Sequence, residues 1–109
     1  MDYYDFREET PLYQTGYKIT GLSRDRRWSI LTDKAVPTLG LFEVAETIAN
    51  NCRLRKLQYN GEVKYAHAIG EWEHDLARLR KVFHDGSFIW PSTDVEDFLT
   101  AKLDASYLV

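Results

Sequence analysis

The stretch YAHAIGEWEHDLARLRKVF, residues 65–83, decides the fold. Tyr65, Ile69, Trp72, Leu76, Leu79 and Phe83 recur in steps of four, three, four, three and four. At about 100° per residue, such positions gather on one face of an α-helix. A ridge this apolar must be buried, so the chain needs further helices to cover it. Asp85-Gly86 predicts the stop, because glycine enters left-handed backbone without penalty.

Upstream, Leu41, Val44, Ala45, Ile48 and Cys52 form one stripe and predict a helix over residues 41–59. Asn60-Gly61 then breaks the pattern, with Asn60 as a cap for the next helix. Earlier still, Ser23 is an N-cap for a helix over 24–36, in which Trp28, Leu31 and Ala35 stand at helical spacing. Pro37 should end that helix, since proline disfavours helical backbone in the residue before it. Downstream, Thr93 and Glu96 have capping-box spacing, and Val95, Phe98, Leu99 and Leu103 give a shorter helix its apolar stripe. Residues 1–22 show no sustained period and read as an extended N-terminal arm, with tyrosines packed and their hydroxyls toward water. The fold class expected is mainly α: a small bundle of about four helices in a single domain over 23–109, with the arm laid on it.

The chain has 109 residues, 44% of them hydrophobic and 14% aromatic, enough for one folded domain with a modest core. No apolar run approaches the roughly 18 to 20 residues of a membrane span. The opening MDYYDFREET is acidic where a signal peptide is basic and then apolar. A cytoplasmic protein without a membrane partner is expected. Cys52 stands alone, which excludes an intrachain disulfide and a Cys-rich zinc site and suggests a small buried apolar group.

The formal net charge of −3 conceals a gradient. Residues 1–22 sum to −2, residues 23–84 to +3 and residues 85–109 to −4. A basic middle between acidic ends permits local attraction to an anion but denies a strong global pull toward nucleic acid.

Within SRDRRW, residues 23–28, Arg24, Arg26 and Arg27 crowd a first turn where the helix dipole favours anions. Two outcomes are open: a tie to acids of this chain, with Glu8, Glu9 and the tail carboxylates as candidates, or reception of phosphate or carboxylate from another molecule through the guanidinium fork. One of these arginines could also stack on Trp28 or Tyr17. Arg53, Arg55 and Lys56 lie near the end of the second helix, and Arg78, Arg80 and Lys81 near the end of the third, where cations suit the dipole.

Few residues point to catalysis. His67, Glu71 and His74 share one side of the third helix opposite Trp72, a water-facing stripe without the cavity and partners that a catalytic metal needs. Ser23 and Ser29 lack a glycine-flanked elbow, and Cys52 has no nearby histidine in sequence. GYKITG, residues 16–21, lacks the Lys-Ser/Thr ending of a phosphate loop. The expectation is a protein that is not an enzyme and uses no cofactor or metal.

Gly16-Tyr17, GLS at 21–23, Arg27 with Ile30-Leu31, Ala68, Trp72-Glu73 and Asp75-Leu76 together resemble a small helical module of uncharacterised bacterial proteins. The resemblance covers about residues 16–83 and implies a folded, mostly helical accessory unit with no catalytic residues to carry over. The favoured functional expectation is a protein-binding protein acting through Asp94, Glu96, Asp97 and Asp104, of the type of phage or mobile-element inhibitors of nucleic-acid-handling machinery, such as anti-CRISPR proteins. The alternative is a nucleic-acid-binding accessory module using Arg24, Arg26, Arg27, Arg53, Arg55 and Lys56 against phosphates. A homodimer through Phe88 and Trp90 of FIWP, four residues that should be buried somewhere, is compatible with both.

Overall fold

The computed structural model of the protein describes residues 10–100. Among these residues there is no strand, and the chain forms a small helical bundle. No helix among them is long and apolar enough to cross a membrane.

A helical turn, α1 (Pro11–Gln14), opens the described region, with the Thr10 side chain accepting from the Tyr13 N–H. Next comes α2 (Arg24–Ile30), which Ser23 caps by accepting from the Arg26 N–H at 3.1 Å. The helix does not stop before Pro37. It widens into a π-turn over Leu31–Ala35 and continues as α3 (Val36–Leu39). The Val36 N–H reaches the Leu31 carbonyl, five residues back. Widening the ladder here relieves the clash of a proline ring with the preceding turn, so the helix runs past the point where proline normally ends one. Gly40, at φ 89°, makes the break instead.

Helices α4 (Leu41–Leu57) and α6 (Ala66–Phe83) form the principal packed pair. Val44, Ala45, Ile48, Ala49 and Cys52 are fully buried and share one core with Ile69, Trp72, Leu76 and Leu79. The predicted ridge therefore faces inward. Phe83 lies at its margin, 37% exposed, with its ring centroid 6.0 Å from that of Trp28. Burying a side chain as large as Trp72 contributes about 1.5–3 kcal/mol.

Between the pair lies the single turn α5 (Gly61–Lys64), entered through Asn60 at φ 56°. The Asn60 side chain makes no capping hydrogen bond; left-handed backbone, which Asn tolerates, is its contribution. At Gly61 a Cβ would come within 1.8 Å of the Arg55 carbonyl oxygen, so the end of α4 requires glycine there.

Of the N-terminal arm, residues 1–9 lie outside the described residues, and the described part contributes to the core. Leu12, Tyr17 and Ile19 are buried, and the Tyr17 hydroxyl donates to Asp75 at 2.8 Å instead of reaching water. After α6, which ends two residues before Asp85, the chain crosses the bundle through FIWP, residues 88–91. Phe88 packs edge-on against Phe42 at 5.1 Å and lies 5.9 Å from Trp90, while Ile89 is 93% exposed. The segment is thus buried on one side only, because residues two apart on an extended chain face the same way. A last helical stretch, α7 (95–100), is capped by Asp94, whose Oδ1 accepts from the Asp97 N–H at 2.8 Å. Thr93, expected as the cap, donates its hydroxyl to Glu73 instead.

Candidate functional site

The arginines of α2 are bound by α6. Arg27 is 2% exposed. Its Nε donates to Asp75 Oδ2 at 2.7 Å, Nη2 to Glu71 Oε1 at 2.7 Å and Nη1 to the Leu22 carbonyl at 3.0 Å. Asp75, itself 3% exposed, also accepts from Tyr17. Arg24 closes the cluster from outside, its Nε and Nη2 donating to the two Glu71 oxygens at 2.9 and 2.7 Å. The two arginines hold the Glu71 carboxyl down at about 2, and burial, followed by the charge of Asp75, pushes the Tyr17 hydroxyl well above its usual value. The expected tie to acids of this chain exists, but its partners are Glu71 and Asp75. Glu8, Glu9 and Asp104 lie outside the described residues. Of the first basic cluster, Arg26 alone is exposed and outside this network. The guanidinium above Trp28 belongs to Arg78, 4.2 Å from the ring centroid, and not to the α2 cluster.

The cations of α4 hold the C-terminal segment. Buried Arg53 donates to the Ser92 carbonyl at 2.6 Å and to Glu46 at 3.0 Å, and its guanidinium lies 4.0 Å from the centroid of Phe98. The Lys56 ammonium donates to the Thr93 carbonyl at 2.8 Å and to Glu73 at 3.0 Å. Arg55 is buried, with its guanidinium 5.1 Å from the centroid of Tyr65. Arg53 and Lys56, which could neutralise phosphates, are here used to fix residues 92–98 on the bundle.

The segment they fix is acidic. Asp94, Glu96 and Asp97 are all exposed at the start of α7. Asp94 and Glu96 line a shallow groove between this helix and the end of α4, together with Lys56, Leu57, Glu62 and Val95. Leu57 is 61% exposed. Among the described residues that line the groove the one cation, Lys56, already serves Glu73, so the rim is negative around an apolar strip. Leu57 and Glu62 escaped the sequence reading, and Val95 was read only as part of the last helix's apolar stripe, because Leu57 sits at the end of a helix whose stripe points elsewhere and because Glu62 and Val95 meet it only through the fold. The signal available was local: Leu57 and Tyr59 are apolar residues at the helix end, off its Leu41–Cys52 stripe.

The histidine stripe offers no metal centre. His67 is exposed, His74 is half-buried, and Glu71 is engaged by two arginines. Among the described residues no group of three or more His, Cys, Asp or Glu side chains is placed to hold an ion. Cys52 is fully buried, and burial raises its thiol to about 11, so it is protonated at neutral pH. Comparison with known proteins finds no matching family model, curated protein or solved structure.

Proposed function

We propose that this is a non-enzymatic helical protein that acts by binding another protein through the acidic face at the start of α7. The carrying observation is that Asp94, Glu96 and Asp97 stand exposed on a segment that Arg53 and Lys56 of α4 clamp in place. A pre-positioned charge pattern speeds encounter and selects partners of opposite sign. The functional type that fits is a phage or mobile-element inhibitor of nucleic-acid-handling machinery, as anti-CRISPR proteins are, because such machinery presents basic surfaces that an acidic face can occupy in place of phosphate.

The internal use of Arg24, Arg27, Arg53 and Lys56 supports this proposal over a nucleic-acid-binding module, since phosphates would have to displace short hydrogen bonds already made within the chain. A homodimer is a separate proposal, supported by the exposure of Ile89 at 93% and Phe42 at 54% beside Phe88 and Trp90, and light scattering decides it.

The test is affinity purification from the native host, comparing the protein with its Asp94→Lys/Glu96→Lys/Asp97→Lys variant. A protein partner retained by the first and lost by the second is expected. Retention of every partner by both removes the acidic face from the mechanism.

A further inference from the structure

The groove between the end of α4 and the start of α7 has a chemistry more specific than negative charge. Leu57 and Val95 lie along it, and Glu62, Asp94 and Glu96 stand at its edges. Leu57 leaves well over half of its surface in water at the close of a helix that fully buries Val44, Ala45, Ile48 and Cys52. Tyr59, at 98% exposure, and Val63, at 73%, extend the apolar character into the turn and α5 beyond it. Resting on the protein-binding proposal above, we infer that this groove receives a basic amphipathic helix of the partner, its apolar side on Leu57 and Val95 and its lysines or arginines against Glu62, Asp94 and Glu96.

Charge complementarity selects this occupant. An acidic or neutral segment would leave three carboxylates facing no counter-charge as water is excluded, whereas a basic one pairs each of them. Nucleic acid is repelled by the same carboxylates. A purely basic chain without an apolar side would gain the Coulomb attraction but leave the Leu57 and Val95 surface uncovered, so an i, i+3/i+4 apolar row flanked by cations is the pattern that satisfies both. The groove walls are held in register from within: Lys56 bonds the Thr93 carbonyl immediately before Asp94, and Arg53 bonds that of Ser92. Binding therefore requires little ordering of the receiving face.

The probe is a fluorescein-labelled peptide of about 14 lysines and leucines with the leucines on one helical face, read by fluorescence anisotropy against the intact protein. Comparators are the same composition scrambled and a lysine-only peptide of equal length. Saturable binding of the amphipathic peptide is expected, at least about tenfold tighter than either comparator. Leu57→Ser should weaken it by about tenfold, the loss of one leucine contact, and Glu62→Lys/Glu96→Lys should weaken it further. These side chains are exposed, so the variants keep the fold, and circular dichroism checks that they do. Equal affinity for the lysine-only peptide, indifference to Leu57→Ser, or no binding at all would overturn the inference. So would a concentration-dependent dimer abolished by Leu57→Ser, which would place a second copy in the groove. If the host partner is lost on reversing Asp94, Glu96 and Asp97 but kept by Leu57→Ser, the acidic face still binds and only the groove assignment fails.

Discussion

Arg27 has every direction of its guanidinium fork committed: to Asp75, to Glu71 and to the Leu22 carbonyl. Removing Arg27 leaves the buried Asp75 without the cation it pairs with, and breaking a buried pair in this way costs about 3–5 kcal/mol. Arg24 bonds the same Glu71, but its side chain is 54% exposed, where water screens the pair. Arg27→Met should accordingly lower the free energy of unfolding by about 3–5 kcal/mol, and Arg24→Ala by far less, as read by urea titration. The cluster also sets the response to pH, with opposite signs at the two ends of the scale. The Glu71 carboxyl is held down from 4.5 to about 2, so its contribution is complete above 4.5 and is lost as the pH falls toward 2. Glu71→Gln should flatten the stability profile across that acid window. The Tyr17 hydroxyl is raised well above 10, so its contribution is complete below 10 and declines as the pH climbs beyond that. Tyr17→Phe should flatten the alkaline limb and leave the acid one unchanged.

At the scale of elements, two glycines in adjacent helices should respond to alanine with opposite signs. A methyl at Gly61 would collide with the Arg55 carbonyl, which is backbone and cannot swing aside. Gly61→Ala should destabilise by the upper part of the about 1–3 kcal/mol typical of overpacking, or more. Gly70 sits exposed within α6, where a methyl would meet nothing within 4 Å, so Gly70→Ala should stabilise by about 0.5–1 kcal/mol through helix propensity. Thermal unfolding of the two variants checks both. Legibility in the sequence tracks the range of the forces involved. The Tyr65–Phe83 ridge could be read because helical periodicity is local. The passage through Pro37 could not, because a π-turn alters the geometry on which the proline rule depends. The Arg27–Asp75 pair joins residues 48 apart and depends on how α2 and α6 are turned toward each other. One sign of it was present: Asp75 stands three residues after Trp72 and four before Leu79, at the spacing of the ridge itself. A carboxylate on a buried stripe requires a buried partner.

Across the whole molecule, the charge gradient of the sequence becomes a division of labour. Part of the basic middle is engaged within the chain, with α2 tied to α6 through Arg24 and Arg27, and α4 tied to residues 92 and 93 through Arg53 and Lys56, while Arg26, Arg80 and Lys81 stay exposed. The carboxylates of α7, which take no part in those ties, are left facing solvent. The site residues of the two functional expectations were equally visible as a count of charges, yet only folding distinguishes a cation that is spent from an anion that is offered. Asp94, Glu96 and Asp97 were legible as the acidic start of a helix, though with Thr93 and not Asp94 as its cap, while their neighbours Leu57 and Glu62 were not, because a groove is a property of two elements meeting. The most direct measurement of this division is a titration of the protein with labelled single- and double-stranded DNA and RNA at about 50 mM salt, where phosphate contacts are strongest. No saturable binding tighter than about 10⁻⁴ M is predicted, the weak end of non-specific contact. Micromolar binding that falls steeply with salt and is lost on substituting Arg53 or Lys56 would contradict it, since those cations would then be serving phosphate and not the chain.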